Sequence, residues 1–201
     1  MPGKAILGQR EAAEGKTEMI NTIFAVDPGN ISGWAVITVE AEPKVSEYGN
    51  IKFQNKKFDY YSASDAMSRT KRYFETSKDS YDNTDIKLVA IEGQYLDEGN
   101  RRNVDSLIKL ARKAGRWEEA ACAHGLTYEY IQPSVWITAE LGRGLRSDQV
   151  AKMAREKCEA LYRVRDLSEH EYCAILLGRY VAIREWRKNL QLTIPTSKND
   201  K

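Results

Sequence analysis

Two acidic residues stand at the ends of apolar segments that have strand character. Asp27 ends the segment INTIFAVD (20–27) and is followed at once by a Pro-Gly turn, and Glu92 ends IKLVAIE (86–92). Apolar and β-branched runs that stop at turn-forming residues are typical of strands. A single carboxylate at a strand end is usually solvated, but two that lie side by side could do chemistry.

The predicted order of elements would place these two carboxylates together. Three strands joined by short turns favour an antiparallel meander, and a helix and a fourth strand follow it. In a common α/β arrangement the first and fourth strands are neighbours, so Asp27 and Glu92 would lie close together. The predicted strands cover 20–27, 33–40, 45–53, 86–92 and 126–131, and the predicted helices cover 62–78, 104–125 with a pause near Gly115, 133–141, 147–162 and 167–189.

Two neighbouring carboxylates repel each other unless a cation lies between them. Mg²⁺ prefers oxygen ligands and keeps several of its waters. Two such ions about 3.5–4 Å apart can activate water and stabilise the leaving oxygen of a phosphodiester. We therefore predict that Asp27 and Glu92 are metal ligands.

Composition excludes several other classes of protein. The 201 residues carry 31 Lys and Arg against 29 Asp and Glu, so any basic surface must come from local clusters. The cysteines (Cys122, Cys158 and Cys173) lack CxxC spacing, which favours a reduced intracellular protein. Neither a transmembrane run nor a signal peptide is visible, so we expect a cytoplasmic protein with no membrane partner. We predict one domain over 19–190, a disordered leader over 1–18 and a loose tail over 191–201.

Three segments resemble the RuvC-type Holliday junction resolvases. They are FAVDPGNISGWAVI, LVAIEGQYL and YEYIQPSVWITAELGRGLRSDQVAKMAREK, and the resemblance extends from about residue 20 to residue 185. It implies an α/β, RNase H-like fold with a mixed five-stranded sheet (three antiparallel strands, then two parallel) flanked by helices. The lengthened segment YLDEGNRRNVDS and an altered last helix indicate a divergent branch, for example one encoded by a bacteriophage and active in the infected host cell.

The family resemblance also implies an activity. Its members are metal-dependent, structure-selective endonucleases that cut four-way junctions symmetrically as homodimers, with Mg²⁺ as the metal and Mn²⁺ as a substitute. Asp27 and Glu92 match the family's first two acidic ligands. Two alternatives stay open: a nuclease of the same fold that acts on flaps or RNA–DNA hybrids, and a junction-binding protein without catalysis.

The resemblance implies contacts to DNA at three places: at Tyr95, at the Arg101–Arg102 pair that follows it, and at the loop that precedes residue 147. Tyr95 matches an aromatic residue that stacks on bases, although it could instead pack on the protein surface. A basic, Gly-containing loop before a helix N-terminus, predicted to be capped by Ser147, can hold phosphate. The candidate DNA-binding residues are Tyr95, Arg101, Arg102, Arg143, Arg146 and Ser147.

The last helix departs from the family pattern. Family members carry an acid or histidine and, three residues later, an aspartate; the matching positions here are His170 and Cys173. A neutral thiol is a poor ligand for Mg²⁺. We predict that Glu169, one turn before Cys173, replaces the aspartate and that His170 completes the ligand set, although Glu169 could simply favour the helix N-terminus. Ser168 is predicted to cap this helix, and Glu171 to be solvated.

Other prominent residues have less specific interpretations. Trp136 stands where family members often carry a basic residue, and core packing is its predicted role. His124 is predicted to be structural or solvent-exposed. The family forms its dimer through a nearby helix, so apolar residues of 104–125 are candidates for a subunit contact, namely Leu107, Leu110, Ala111 and Ala114.

Overall fold

The computed structural model describes residues 19–29, 31–52, 63–68, 86–93 and 104–193, with 104–106 described by their backbone only. The predicted leader over 1–18, most of the predicted tail, and the candidate DNA contacts Tyr95, Arg101 and Arg102 lie outside these ranges.

A five-stranded mixed sheet forms the centre of the described structure. Its order is β3-β2-β1-β4-β5, with β1–β2 and β2–β3 antiparallel and β1–β4 and β4–β5 parallel. This is the predicted RNase H-like arrangement of three antiparallel strands followed by two parallel ones. The strands are β1 (Thr22–Asp27), β2 (Ile31–Thr38), β3 (Val45–Lys52), β4 (Ile86–Glu92) and β5 (Thr127–Ile131).

Helices cover both faces of the sheet. Residues 63–68 form α1, and the prediction that it continues to residue 78 lies outside the described residues. The predicted pause at Gly115 is wrong, because the helix is continuous there. The remaining helices are α2 (Val104–Ala123), α3 (Pro133–Glu140), α4 (Ser147–Tyr162) and α5 (Glu169–Thr193).

All six residues of β1 are buried because each face of the strand packs against a helical layer. Ile23 and Ala25 join the core beneath α3, α4 and α5, whereas Phe24 and Val26 join the core beneath α1 and α2. This alternation follows from the two-residue period of a strand. The central strand therefore has no exposed face, and its functional residue stands at its end.

The parallel register brings the ends of β1 and β4 to one edge. Ala25 pairs with Ala90 and Val26 pairs with Ile91, so Asp27 and Glu92 each follow the last pair directly. The predicted neighbouring positions of the two carboxylates are thus confirmed.

Helix α5 lies unusually close to the sheet at Gly178. A Cβ atom added there would lie 2.5 Å from Cγ1 of Ile37 and 2.9 Å from Cβ of Ala25. Only a residue without a side chain permits this approach, and it lets α5 hold its first turn against the end of β1.

We expect Gly178→Ala to lower the free energy of unfolding by about 1–3 kcal/mol, because the new methyl group overpacks the α5–sheet interface. Gly115→Ala in α2 is the matched control. Apart from its own helical turn, its Cβ would meet no atom of the described residues within 4 Å, so the change should stabilise the protein by up to about 1 kcal/mol through helix propensity. Urea denaturation of both variants measures the difference, and a Gly178→Ala protein as stable as the parent would contradict this account of the packing.

Candidate active site

A cleft of about 300 Å³ opens at the shared edge of β1 and β4. It is lined by all four predicted ligands and by Cys173. Helices α3 and α4 supply apolar walls that include Trp136 and Val150. The fold therefore gathers residues that are up to 146 positions apart in the sequence, namely Asp27, Glu92, Glu169, His170 and Cys173.

Asp27 is held by His170. Its carboxylate is nearly buried, and Nδ1 of His170 lies 2.9 Å from Oδ2 of Asp27. The hydrogen bond to Asp27 raises the pKa of His170 above its usual value, although burial of the ring opposes the shift. An Nδ1–H group that donates to this carboxylate compensates part of the cost of burying it.

Two glycines make room for His170. A Cβ atom at Gly29 would lie 2.4–2.8 Å from three atoms of the imidazole ring, and one at Gly33 would lie 2.1 Å from the backbone oxygen of His170. Contacts this short do not occur for real side chains. The DPGNISG sequence after β1 thus allows the α5 N-terminus to approach Asp27.

A capping box starts α5 at this point. The Glu171 backbone N–H donates to Oγ of Ser168 at 3.3 Å, and Oε2 of Glu171 accepts from the Ser168 backbone N–H at 2.9 Å. The Asn50 side chain on β3 also donates to Oε2 of Glu171 at 2.9 Å. Ser168 is the cap, as predicted, but the prediction of a solvated Glu171 is wrong. Its side chain is buried because it serves both the cap and the contact to β3.

Glu92 receives a hydrogen bond from Trp136. Nε1 of Trp136 donates to Oε1 of Glu92 at 2.9 Å, and the indole is only 1% exposed. Burial, followed by the negative charge of Asp27, raises the pKa of Glu92 well above its usual value. Core packing of Trp136 is confirmed, but the sequence interpretation missed its polar role. A buried indole N–H normally requires an acceptor, which was the available signal.

Glu169 and Cys173 differ sharply in environment. The Glu169 side chain is 63% exposed, and its Oε1 lies 3.7 Å from Nε2 of His170. Burial, with the charges of Asp27 and Glu92, raises the pKa of the Cys173 thiol far above its usual value, so the thiol is neutral. That Cys173 is a poor ligand for Mg²⁺ stays a prediction.

The donor chemistry of the cleft fits a hard divalent cation, but its geometry is incomplete. Asp27 and Glu92 offer carboxylate oxygens at one point, the ligand type that Mg²⁺ prefers. Among the described residues, however, no group of three or more His, Cys, Asp and Glu side chains is arranged to hold a metal ion. Glu169 would have to turn inward to join the other two carboxylates.

The basic loop between α3 and α4 lies beside the cleft. Gly142 (φ 111°) and Gly144 (φ 72°) adopt left-handed conformations, and Arg143 and Arg146 are exposed. The prediction that Ser147 caps α4 is wrong by one residue. Arg146 holds that position, with its backbone N–H bound to Oε1 of Gln149 at 2.9 Å, and Ser147 is the first helical residue and lines the cleft.

The four apolar residues of α2 that were predicted to contact a second subunit lie in different environments. Ala114 is 3% exposed and belongs to the protein's own core, so its predicted subunit contact is wrong. Leu110 lines the cleft, whereas Ala111 is exposed and Leu107 is half-buried. At the end of α2, Nε2 of His124 lies 3.1 Å from Oγ of Ser64, which agrees with a structural role.

No helix in the described ranges combines the length and apolar character needed to cross a membrane.

Known structures share this architecture, although no protein-family model and no curated protein match the sequence. Thermus thermophilus RuvC aligns with a TM-score of 0.55 and 15% identity, over 85% of this chain and 96% of its own. The same protein in complex with a Holliday junction substrate aligns with a TM-score of 0.59 and 17% identity, over 84% of this chain and 96% of its own. The chain shares the fold of RuvC. The yeast mitochondrial Holliday junction resolvase Ydc2 also aligns, with a TM-score of 0.50 and 10% identity, over 88% of this chain and 84% of its own.

We expect Asp27→Asn to lower the pKa of His170, because the hydrogen bond that the ring donates to the charged carboxylate is lost while burial of the ring remains. NMR titration of the two histidine ring signals measures this, with His124 as the internal control that the mutation should leave unchanged.

The same contact makes a pH-dependent contribution to stability. The pKa of His170 is higher in the folded state than in the unfolded state, where it is about 6.5. The stabilising free energy is therefore complete at pH values below the unfolded-state pKa, and it is lost as the pH rises through the folded-state pKa. An unchanged His170 titration in the Asp27→Asn variant would contradict the hydrogen-bond geometry.

Proposed function

We propose that this protein is a metal-dependent, structure-selective endonuclease that resolves four-way and other branched DNA. The observation that carries the proposal is the convergence of Asp27 and Glu92 in one cleft of a RuvC-like fold. One of the structures with this fold is bound to a Holliday junction substrate.

Asp27 and Glu92 would hold the cation, with Glu169 and His170 completing the set. Mg²⁺ is the proposed cofactor, and Mn²⁺ is a substitute. A bound Mg²⁺ would supply charge stabilisation at the scissile phosphate and would lower the pKa of a bound water.

The chain's own residues orient and shield the reacting groups. Trp136 fixes one oxygen of Glu92, and Asp27 fixes Nδ1 of His170, so that ring can hold a proton at a defined position. Apolar side chains of α3 and α4 line the cleft and lower the local dielectric constant, which strengthens electrostatic interactions there.

The DNA contacts and the subunit arrangement also belong to the proposal. Arg143, Arg146 and Ser147 lie at the start of α4, where exposed cations and backbone N–H groups can meet phosphate. Tyr95, Arg101 and Arg102 remain candidates from the sequence. Symmetric cutting of two strands requires two active sites, so a homodimer is proposed.

We expect Asp27→Asn and Glu92→Gln each to abolish cleavage of a labelled four-way junction with Mg²⁺, because each removes a charge that the cation needs. Binding of the junction should persist and should weaken steeply with salt. Asp166→Asn is the control, since Asp166 is exposed and asparagine tolerates its left-handed backbone. Full cleavage by the Asp27→Asn or Glu92→Gln variant would remove the proposed site.

Cys173 stands in the cleft at the position where family members carry an aspartate, and this departure favours one alternative, a junction-binding protein without catalysis. Binding without cutting in both Mg²⁺ and Mn²⁺ would support it. A panel of junction, flap, RNA–DNA hybrid and duplex substrates would separate a resolvase from another nuclease of this fold.

We expect Glu169→Gln and His170→Ala each to reduce the cleavage rate at least about tenfold, or about 1.4 kcal/mol of barrier. Cys173→Ser should change it little, and Cys173→Asp should raise it by supplying an oxygen ligand. Single-turnover cleavage measures all four variants. The substitution of Glu169 for the missing aspartate is wrong if Glu169→Gln cuts normally while Cys173→Ser is inactive.

A further inference from the structure

A second cavity lies outside the cleft, between the C-terminal end of α3 and the C-terminal half of α5. Its volume is about 480 Å³, and among the described residues four cationic side chains line it against a single acidic one, Glu140. The four are Arg179, Arg184, Arg187 and Lys188.

The acidic residue offers no free charge to the cavity. The side chain of Glu140 is only 4% exposed. It accepts from Arg179 at 2.6 and 2.8 Å and from Lys157 at 2.6 Å. Two cations thus surround one buried carboxylate, and the Arg179 guanidinium also hydrogen-bonds the side chain of Tyr162.

Further along α5, acidic neighbours fix the cations in place without neutralising all of them. Arg184 binds Glu129 on β5 and Glu185, and Nζ of Lys188 lies 2.7 Å from Oε1 of Glu185. Arg187 is exposed and forms no ion pair with the described part of the chain. Around the cavity, the described residues supply five cations against three acids: Lys157, Arg179, Arg184, Arg187 and Lys188 against Glu129, Glu140 and Glu185.

This arrangement suits a phosphate group. Guanidinium groups bind phosphate through paired N–H donors, and arginines already held by acids lose less side-chain freedom when they do so. A solvated cationic surface would not need side chains as buried as those of Arg179 and Arg184, which are 24% and 28% exposed.

The cavity and the cleft are separate, but α3 and α5 contribute residues to both. Trp136 lies in the cleft and Glu140 lies one turn further along α3, about 6 Å along its axis. On α5, Arg184 follows His170 by 14 residues, or about 21 Å. A nucleic-acid strand cut at the cleft would have backbone phosphates within that range.

We propose that this α3–α5 cavity binds backbone phosphates of the nucleic acid away from the cleavage point. The inference rests on the proposed nuclease function for the identity of its ligand. It adds a binding site that neither Asp27 nor Glu92 contributes to.

The test compares two charge reversals in the full-length protein. Arg187→Glu changes the cavity without breaking an ion pair among the described residues. Lys44→Glu is the same type of charge reversal next to β3, at the opposite edge of the described sheet, and the ion pair with Glu40 that it breaks is exposed and contributes little to stability. Fluorescence anisotropy with a labelled four-way junction, without divalent metal, gives affinity as a function of salt. We expect weaker binding for Arg187→Glu and a salt slope smaller by about one phosphate contact, with Lys44→Glu close to the parent.

Two outcomes would overturn the inference. One is an Arg187→Glu protein that matches Lys44→Glu in both affinity and salt slope. The other uses pyrophosphate as a second probe. If the parent binds pyrophosphate and Arg187→Glu does not, while both bind the junction equally well, the cavity is a site for small phosphates and not for the nucleic-acid backbone.

Cleavage separates this inference from the proposed function. Single-turnover cutting at saturating protein should be equal in Arg187→Glu and the parent, because the cleft is untouched. Absence of cutting by every protein, including the parent, would remove the endonuclease proposal, whereas a lower affinity and salt slope in Arg187→Glu would still support the phosphate site.

Discussion

Two carboxylates at the buried ends of neighbouring parallel strands constrain the rest of the structure. The pairing of β1 with β4 places Asp27 beside Glu92, and the charge of Asp27 helps to raise the pKa of Glu92. A buried charge is stable only with partners. Each carboxylate therefore has its own donor, His170 from α5 for Asp27 and Trp136 from α3 for Glu92. These two contacts connect the N-terminal turns of both helices to the ends of the strands.

The close approach of α5 is the second consequence of this constraint. Glycines at the points of contact let the helix backbone lie against β1 and β2, and the Ser168–Glu171 capping box fixes its first turn. The Asn50 side chain ties that turn to β3. The position of His170 thus depends on residues from three strands as well as on its own helix.

The sequence was informative where a pattern had one physical cause. Strand periodicity and turn residues predicted the sheet and the neighbouring positions of Asp27 and Glu92, and the serine before the last helical segment predicted the cap at Ser168. It was less informative where a role depends on tertiary contacts. The Glu171 side chain is buried because Asn50, 121 residues away, reaches it, and Ala114 faces its own core because of the way α2 packs on the sheet. The cationic cavity combines residues of α3, α4, α5 and β5, so no local pattern reveals it.

Anomalous diffraction from crystals soaked in Mn²⁺ tests the central claim most directly, because it locates the cation relative to the two carboxylates. The account predicts a manganese peak in the cleft, with oxygens of both Asp27 and Glu92 within about 2–2.5 Å and no contact to Cys173. At saturating Mn²⁺, a cleft without such a peak, or a peak bound by only one of the two carboxylates, would contradict the account.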